Sequence, residues 1–177
     1  YAFQHSKCDA LVLLHPKGTV SVKDLYKFTG FFKKGNSLVI ASRLLKKSLN
    51  EEDSSLFRPR KWFVRIIAIY SYIMWGRIKY RMLWDVLHGY RGMRVGDFKK
   101  LSVLESGISV DIEMVTRSYK SGLTYIEFPT KERVRGYGKT HFPAFSSGLS
   151  ILKYLYFELL QNGTLEVTGD LIAYGSP

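Results

Sequence analysis

The chain of 177 residues is poor in several things, and each shortage narrows what it can be. Cysteine occurs once, at Cys8, so no internal disulfide framework holds the fold. A lone thiol suits a reducing compartment, which sets the expectation of a cytoplasmic protein. No apolar run is long enough to cross a bilayer: the longest uncharged one, Ile66 to Trp75, is bounded by Arg65 and Arg77 and falls short of the roughly 20 residues a spanning helix needs. The chain opens at Tyr1 without a charged-then-apolar leader, which leads to the expectation of no secretion signal and of a piece of a longer protein. Acidic residues are scarce against basic ones, 15 to 27, and the net charge is +12. Such a surface attracts phosphates, whether they belong to nucleic acid, anionic lipid or a nucleotide-sugar. No zinc spacing, recognition-helix pattern or RNA-binding aromatic motif accompanies that charge, so nucleic acid is not an expected partner. Repeats, low-complexity stretches and Gly/Ser linkers are also missing, and one domain is the simplest division. The triplet Asn162-Gly163-Thr164 has the form of a glycosylation acceptor, which chance supplies often and which matters only in a secreted protein.

What is present is a globular composition, 46% hydrophobic, with room for a real core. Ala10-Leu11-Val12-Leu13-Leu14 is a short apolar run closed by Pro16 and Gly18, which reads as a fully buried strand of a parallel or mixed sheet. Apolar residues at near-helical spacing predict a helix over Val22 to Phe32, stopped by Gly35. A second buried strand is expected over Ser37 to Ala41, and strand, helix, strand in this length suits a crossover unit. A polar, acidic loop at Ser48 to Ser55 precedes the basic entry Arg58-Pro59-Arg60-Lys61. Ile66, Ile69, Tyr70 and Ile73 then repeat at helical spacing between Trp62 and Trp75, with Arg77, Lys79 and Arg81 beyond. This amphipathic helix either faces the core with a solvated basic end or rests on a membrane surface through its aromatic and cationic flanks. A helix over Val110 to Tyr119, a strand over Thr124 to Phe128 and a helix over Ala144 to Leu160, with Leu149, Leu152, Leu155, Tyr156 and Leu159 as its apolar set, complete an α/β reading.

Four segments, in order, carry a resemblance. Leu11-Val12-Leu13-Leu14-His15-Pro16-Lys17-Gly18 is similar to a strand that ends in Asp-x-Asp-Gly. Leu38-Val39-Ile40-Ala41-Ser42-Arg43 is similar to a Val-Ile-Gly-Ser-Arg strand end. Asp85-Val86-Leu87-His88-Gly89-Tyr90-Arg91-Gly92-Met93-Arg94 resembles Asp-x-x-x-Gly-Phe-Arg-x-Phe-Arg, and is the most specific of the four. Glu127-Phe128-Pro129-Thr130-Lys131-Glu132-Arg133-Val134-Arg135-Gly136-Tyr137-Gly138-Lys139-Thr140 resembles a Pro-Thr-x-Glu-x-x-Arg-x-x-Gly-x-Ser/Thr loop. Between the last two, Ile108 to Met114 looks like a Phe-Glu-x-Glu-Met helix. These are landmarks of the family 2 glycosyltransferases with the GT-A fold, the group that includes dolichol-phosphate mannose synthase. The resemblance covers roughly Ala2 to Leu160. It implies a partial GT-A three-layer fold with a mixed sheet, a domain over 1–160 lacking the family's first nucleotide-binding strands, and a tail over 161–177.

The resemblance also implies a function, transfer of a sugar from a nucleotide-sugar donor to an acceptor such as a polyprenyl phosphate or a glycan. Such a displacement needs neutralisation of the leaving diphosphate, a base or counter-charge for the acceptor, and orientation of both. The family expectation is Mg or Mn held by Asp-x-Asp, but those positions here are His15 and Lys17, and a lysine does not ligate a hard cation. Either a cation such as Lys17, Arg43 or Arg135 meets the diphosphate directly, or the fold serves as an inactive homologue or partner subunit. The implied assignments are Asp85 as the catalytic carboxylate, and Arg91 and Arg94 for the acceptor. His15, Lys17, Ser42, Arg43, Arg133, Arg135 and Thr140 are implied for the donor, with no certain metal ligand. A partner chain completing the sheet and a position at the cytosolic face of a membrane are further expectations. Each segment also has an ordinary reading: Gly89 in a tight turn, Asp85 a surface carboxylate, Glu113 a helix partner of Arg117, Ser42-Arg43 a cap and a solvated charge, and His88 and His141 structural.

Overall fold

The computed structural model describes residues 2–14, 19–49, 58–76, 81–105, 107–133 and 144–165, with side chains in the last stretch described over 145–161. In chain order the elements are α1 (Ala2–His5), β1 (Ala10–Leu13), a 3-10 turn (Val22–Asp24), α2 (Leu25–Lys33), β2 (Leu38–Ser42), α3 (Pro59–Trp75), β3 (Arg91–Arg94), α4 (Val95–Leu101), α5 (Ser109–Lys120), β4 (Tyr125–Pro129) and α6 (Ala144–Leu165). The molecule is α/β, built on an open, mixed four-stranded sheet in the order β1-β3-β2-β4. β3 runs antiparallel to both β1 and β2, and β4 runs parallel to β2. β1 and β2 are therefore parallel with β3 inserted between them, so β1-α2-β2 is a crossover that skips one strand.

The sheet divides the core by the two-residue period of β2. Leu38 and Ile40 join Met93 and the buried sides of α3, α5 and α6. Val39 and Ala41 join Phe28, Tyr90 and Phe128 on the opposite face, beneath α2. The Phe28 ring sits 5.0 Å from Tyr90 and 5.1 Å from Phe128, so one aromatic from α2 fills the space between two sheet residues. The result is three layers, with α2 on one side of the sheet and α3, α5 and α6 on the other.

Local chemistry fixes the ends of these elements. Pro59 stands in the first turn of α3, where its missing N–H costs nothing, so the basic entry belongs to the helix itself. Gly35 ends α2 at φ +90, and Asn36 donates back to Phe31 O through both its backbone and its side-chain amide. β3 was not legible as a strand, since Arg91-Gly92-Met93-Arg94 has no strand-forming pattern. Its pairing depends on Gly92, where an added Cβ would come within 2.9 Å of Leu11 O, Val12 Cγ2 and the Phe32 ring.

Three expectations need correction. β1 is half-buried throughout, because it is an end strand of the sheet and lacks a neighbour on one edge among the described residues. The stripe Ile66, Ile69 and Ile73 on α3 faces solvent, while Val64, Ile67, Ala68, Ser71 and Trp75 face the core. α3 carries apolar residues on both faces, so of the two readings of its stripe the core-facing one does not hold, and only Tyr70 of that set packs against the core. On α6 the buried apolar residues are Ile151, Tyr154 and Leu155, whereas Leu149, Leu152 and Tyr156 are exposed. α6 also continues through residues 161–165, across the expected start of the tail.

Candidate functional site

The carboxyl end of β2 turns sharply at Ser42, and this turn positions the ionic centre of the molecule. Ser42 is fully buried, its Oγ accepts from Leu44 N at 3.3 Å, and its carbonyl accepts from Ser48 Oγ at 2.7 Å. The next residue, Arg43, donates its backbone N–H to Asp85 Oδ2 at 2.7 Å. Its guanidinium then donates through Nε to Oδ2 at 2.9 Å and through Nη2 to Oδ1 at 3.0 Å of the same carboxylate. The Nη1 donor reaches Glu132 Oε2 at 3.0 Å, and Glu132 Oε1 accepts from Thr19 Oγ1 at 3.3 Å. Three segments that are remote in sequence thus meet on one side chain.

Electrostatics follow from that geometry. Burial works against the Asp85 charge, but the bidentate Arg43 outweighs it and holds the carboxyl down at about 2. Burial likewise opposes the charge on Arg43, and Asp85 with Glu132 overcomes it, holding the guanidinium above its ordinary range. Glu132 is held below the usual carboxylate range by Arg43 in spite of burial. Glu127, on β4, shows the opposite result. Burial pushes it up to about 7 although Trp84 N and Asp85 N both donate to it.

His88 stands beside this network with Nδ1 hydrogen-bonded to Ala41 O and 4.0 Å from Asp85 Oδ2. A carbonyl oxygen can only accept, so Nδ1 carries the proton. Burial, and then the charge of Arg43, lowers the ring to about 4 against the pull of Asp85 and Glu132, so the imidazole is neutral at neutral pH. Nε2 is left as a lone-pair acceptor. His88, Arg43, Glu132, Thr19, Tyr90 and Asp111 together line a cavity of about 290 Å³ whose remaining wall is apolar, including Leu13, Val20, Leu87 and Ile108. The carboxylates in and behind this wall (Asp85, Asp111, Glu132) outnumber the cations (Arg43, Arg91), so the described part of the cavity is not itself an anion site.

The structure brings Ser42, Arg43 and Asp85 together, and it gives Arg91 and Arg94 other work. Arg91 is fully buried and pairs with Asp111 at 3.1 Å. It also donates to the carbonyls of His88, Val86 and Asp111. It ties the 86–88 turn to the start of α5 and sits behind the cavity. Arg94 lies at the other end of β3, donating to Asn36 O and Phe32 O, and does not reach the cavity. Arg133 is exposed, and its backbone N–H donates to Thr19 O at 2.9 Å. Residues 19 and 133 are thereby joined at the cavity rim, at the points where the 15–18 and 134–140 segments meet the described chain. His15, Lys17, Arg135, Thr140 and His141 lie outside the described residues.

Asp85 is not the surface carboxylate of the ordinary reading, and Arg43 is not a solvated charge. Glu113 does pair with Arg117, at 2.8 Å, and also accepts from the amides of Leu104 and Glu105. Sequence reasoning missed Glu132 and Glu127 as site residues. Both stood in the segment from Glu127 to Thr140, Glu132 inside its Pro-Thr-x-Glu pattern and Glu127 just ahead of it, at a strand position to which the pattern gives no role. A larger hollow of about 590 Å³ lies between the 107–109 turn and α6, lined by Ser146, Ser147, Ser150 and Lys153. It contains none of the sequence-predicted residues and no described ion pair, and the smaller cavity is the better candidate.

The chain matches no protein-family model and no curated protein. For a divalent cation the described donor set does not fit. Asp85 and Glu132 are both engaged by Arg43, and no group of three His, Cys, Asp or Glu side chains is arranged to hold an ion among the described residues.

Proposed function

We propose that the chain is a glycosyltransferase-like protein of the GT-A type, which transfers a sugar from a nucleotide-sugar donor to an acceptor of the polyprenyl-phosphate or glycan class. One observation carries the reading. Arg43 of the Ser-Arg strand end binds Asp85 of the Asp-x-x-x-Gly segment and Glu132 of the Pro-Thr-x-Glu segment at once. Segments that resemble separate landmarks of one family therefore converge on one cavity at the carboxyl ends of β2 and β4, the side of an open α/β sheet where ligands bind.

In this reading Asp85 does not act as a base, because both oxygens are engaged and its pKa is low. It orients Arg43, which orients Glu132. The open acceptor is Nε2 of His88, suited to a hydrogen bond from a hydroxyl of the sugar or acceptor. The donor diphosphate needs positive charge that the described wall lacks. We assign that charge to Lys17, Arg133 and Arg135, which are at or close in sequence to the bonded residues 19 and 133. No step passes through a metal.

The second reading, an inactive homologue or partner subunit, is favoured by the same engaged Asp85 together with His15 and Lys17 in place of Asp-x-Asp. Turnover separates the two. Donor hydrolysis or transfer is measured over a panel of nucleotide-sugars with Mn, with Mg and with chelator. Turnover that survives chelation and is lost in Lys17→Ala supports the transferase. Absence of turnover with every donor, in a folded protein, supports the second reading.

A further inference from the structure

We infer that the outer faces of α3 and α6 form a docking surface for an anionic lipid bilayer. This inference does not depend on the transferase reading. Trp62, Ile66, Ile69 and Ile73 make a continuous stripe on α3, with Trp62 and Ile66 each 60% exposed and Ile73 73% exposed. Phe145, Leu149, Leu152, Tyr156 and Leu160 make a stripe of the same period on α6, with Phe145 86% exposed. At the rise of a helix the two stripes are about 16 Å and about 22 Å long. Both helices pack on α5, and they approach each other where Gly148 of α6 faces the Phe63 ring. Isolated exposed apolar residues are ordinary, but two whole helix stripes are not.

Charge selects the occupant. α3 contains Arg60, Lys61 and Arg65 and no acidic residue. The single carboxylate of α6 within its described side chains, Glu158, is buried and paired with Lys120 at 2.7 Å. The cations beside the outward stripes are Arg65 and Lys153, and no anion stands on those stripes among the described residues. Arg65 lies over the Trp62 ring at 5.4 Å and Lys153 over Phe157 at 5.8 Å, an arrangement in which an aromatic body enters the interface and the cation stays at headgroup level. A second copy would set Arg65 and Lys153 against their own kind, in a chain of net charge +12. No helix of the described residues is long and apolar enough to cross a membrane, so the contact is with the surface, each stripe lying in the plane.

The test is co-sedimentation of the 177-residue chain with vesicles of phosphatidylcholine alone and of phosphatidylcholine with phosphatidylserine. Binding to the anionic vesicles, weaker on the neutral ones and weakened by salt, is expected. The double variant Ile66→Ser/Ile73→Ser should keep its circular dichroism and melting temperature and lose at least about tenfold in partitioning. Leu149→Ser/Leu152→Ser gives an independent check on α6, and Arg65→Glu should weaken binding to the anionic vesicles only. Wild-type protein that stays in the supernatant with both compositions overturns the proposal, as does equal partitioning of the folded double variants. So does a dimer in gel filtration that either double variant converts to monomer, which would give the face to a second copy.

Discussion

Arg43 is held between two carboxylates, and loss of its guanidinium would leave both without their counter-charge in a largely buried place. Breaking a buried pair from one side is far more damaging than never having built it, at about 3–5 kcal/mol. Arg43→Met is therefore expected to lower unfolding free energy by about that amount in urea denaturation. Arg43→Lys should recover little, since an ammonium cannot engage Asp85 through two parallel bonds while reaching Glu132. Two neighbouring groups should give opposed pH dependences. His88, held at about 4 when folded against an ordinary 6.5, binds fewer protons folded than unfolded between those values, so stability falls as pH drops through that window. Glu127, held at about 7 against an ordinary 4.5, binds more protons folded, so stability falls as pH rises through its own window. Each effect is worth about 2–3 kcal/mol across its window. In urea titrations over pH, His88→Gln should remove the loss on acidification, and Glu127→Gln should gain on the wild type above pH 7 relative to pH 5.

Among the elements, two glycines show how similar residues differ by place. Gly92 of β3 has backbone and side chains within 2.9 Å of where a Cβ would stand, so Gly92→Ala should destabilise by about 1–3 kcal/mol. Gly148 of α6 has only the Phe63 ring, at 3.7 Å, and an alanine there lies in a helix interior. Gly148→Ala should stabilise by up to about 1 kcal/mol, and thermal melts of the pair of variants check both signs. Strand β2 and helices α2 and α5 could be read from the sequence because their patterns are unambiguous: an unbroken apolar run, or one apolar face with a glycine stop. β3 could not, because it is a strand by virtue of the neighbours that enclose Gly92. The faces of α3 and α6 could not, because apolar residues occupy more than one side of each helix and only the sheet decides which side is inward. In the candidate site, Ser42, Arg43 and Asp85 were singled out by the resemblance of their segments, since taken singly they read as a cap, a solvated charge and a surface carboxylate. The use of Arg91 as an internal tie and the removal of Arg94 from the cavity depend on which carbonyls lie near, which spacing does not encode.

For the molecule as a whole, the charge of +12 is unevenly placed with respect to its cavity. The described wall has more carboxylates than cations, whereas α3 is basic and the exposed stripes of α3 and α6 are apolar. The proposed nucleotide-sugar site therefore needs cations beyond the described wall, and Lys17 and Arg135, two residues in sequence from Thr19 and Arg133, are the ones assigned to it. The most direct measurement is a thermal-shift titration with uridine diphosphate and guanosine diphosphate, with and without Mn, on the wild type and on Lys17→Ala/Arg135→Ala. A ligand at about a hundred times its Kd stabilises the folded state by about 2.7 kcal/mol, several degrees for a domain of this size. A rise of that order with at least one diphosphate, independent of Mn and absent in the double variant, is the expected result. No shift with either diphosphate under any condition, in a protein that melts cooperatively, would contradict a nucleotide-sugar site.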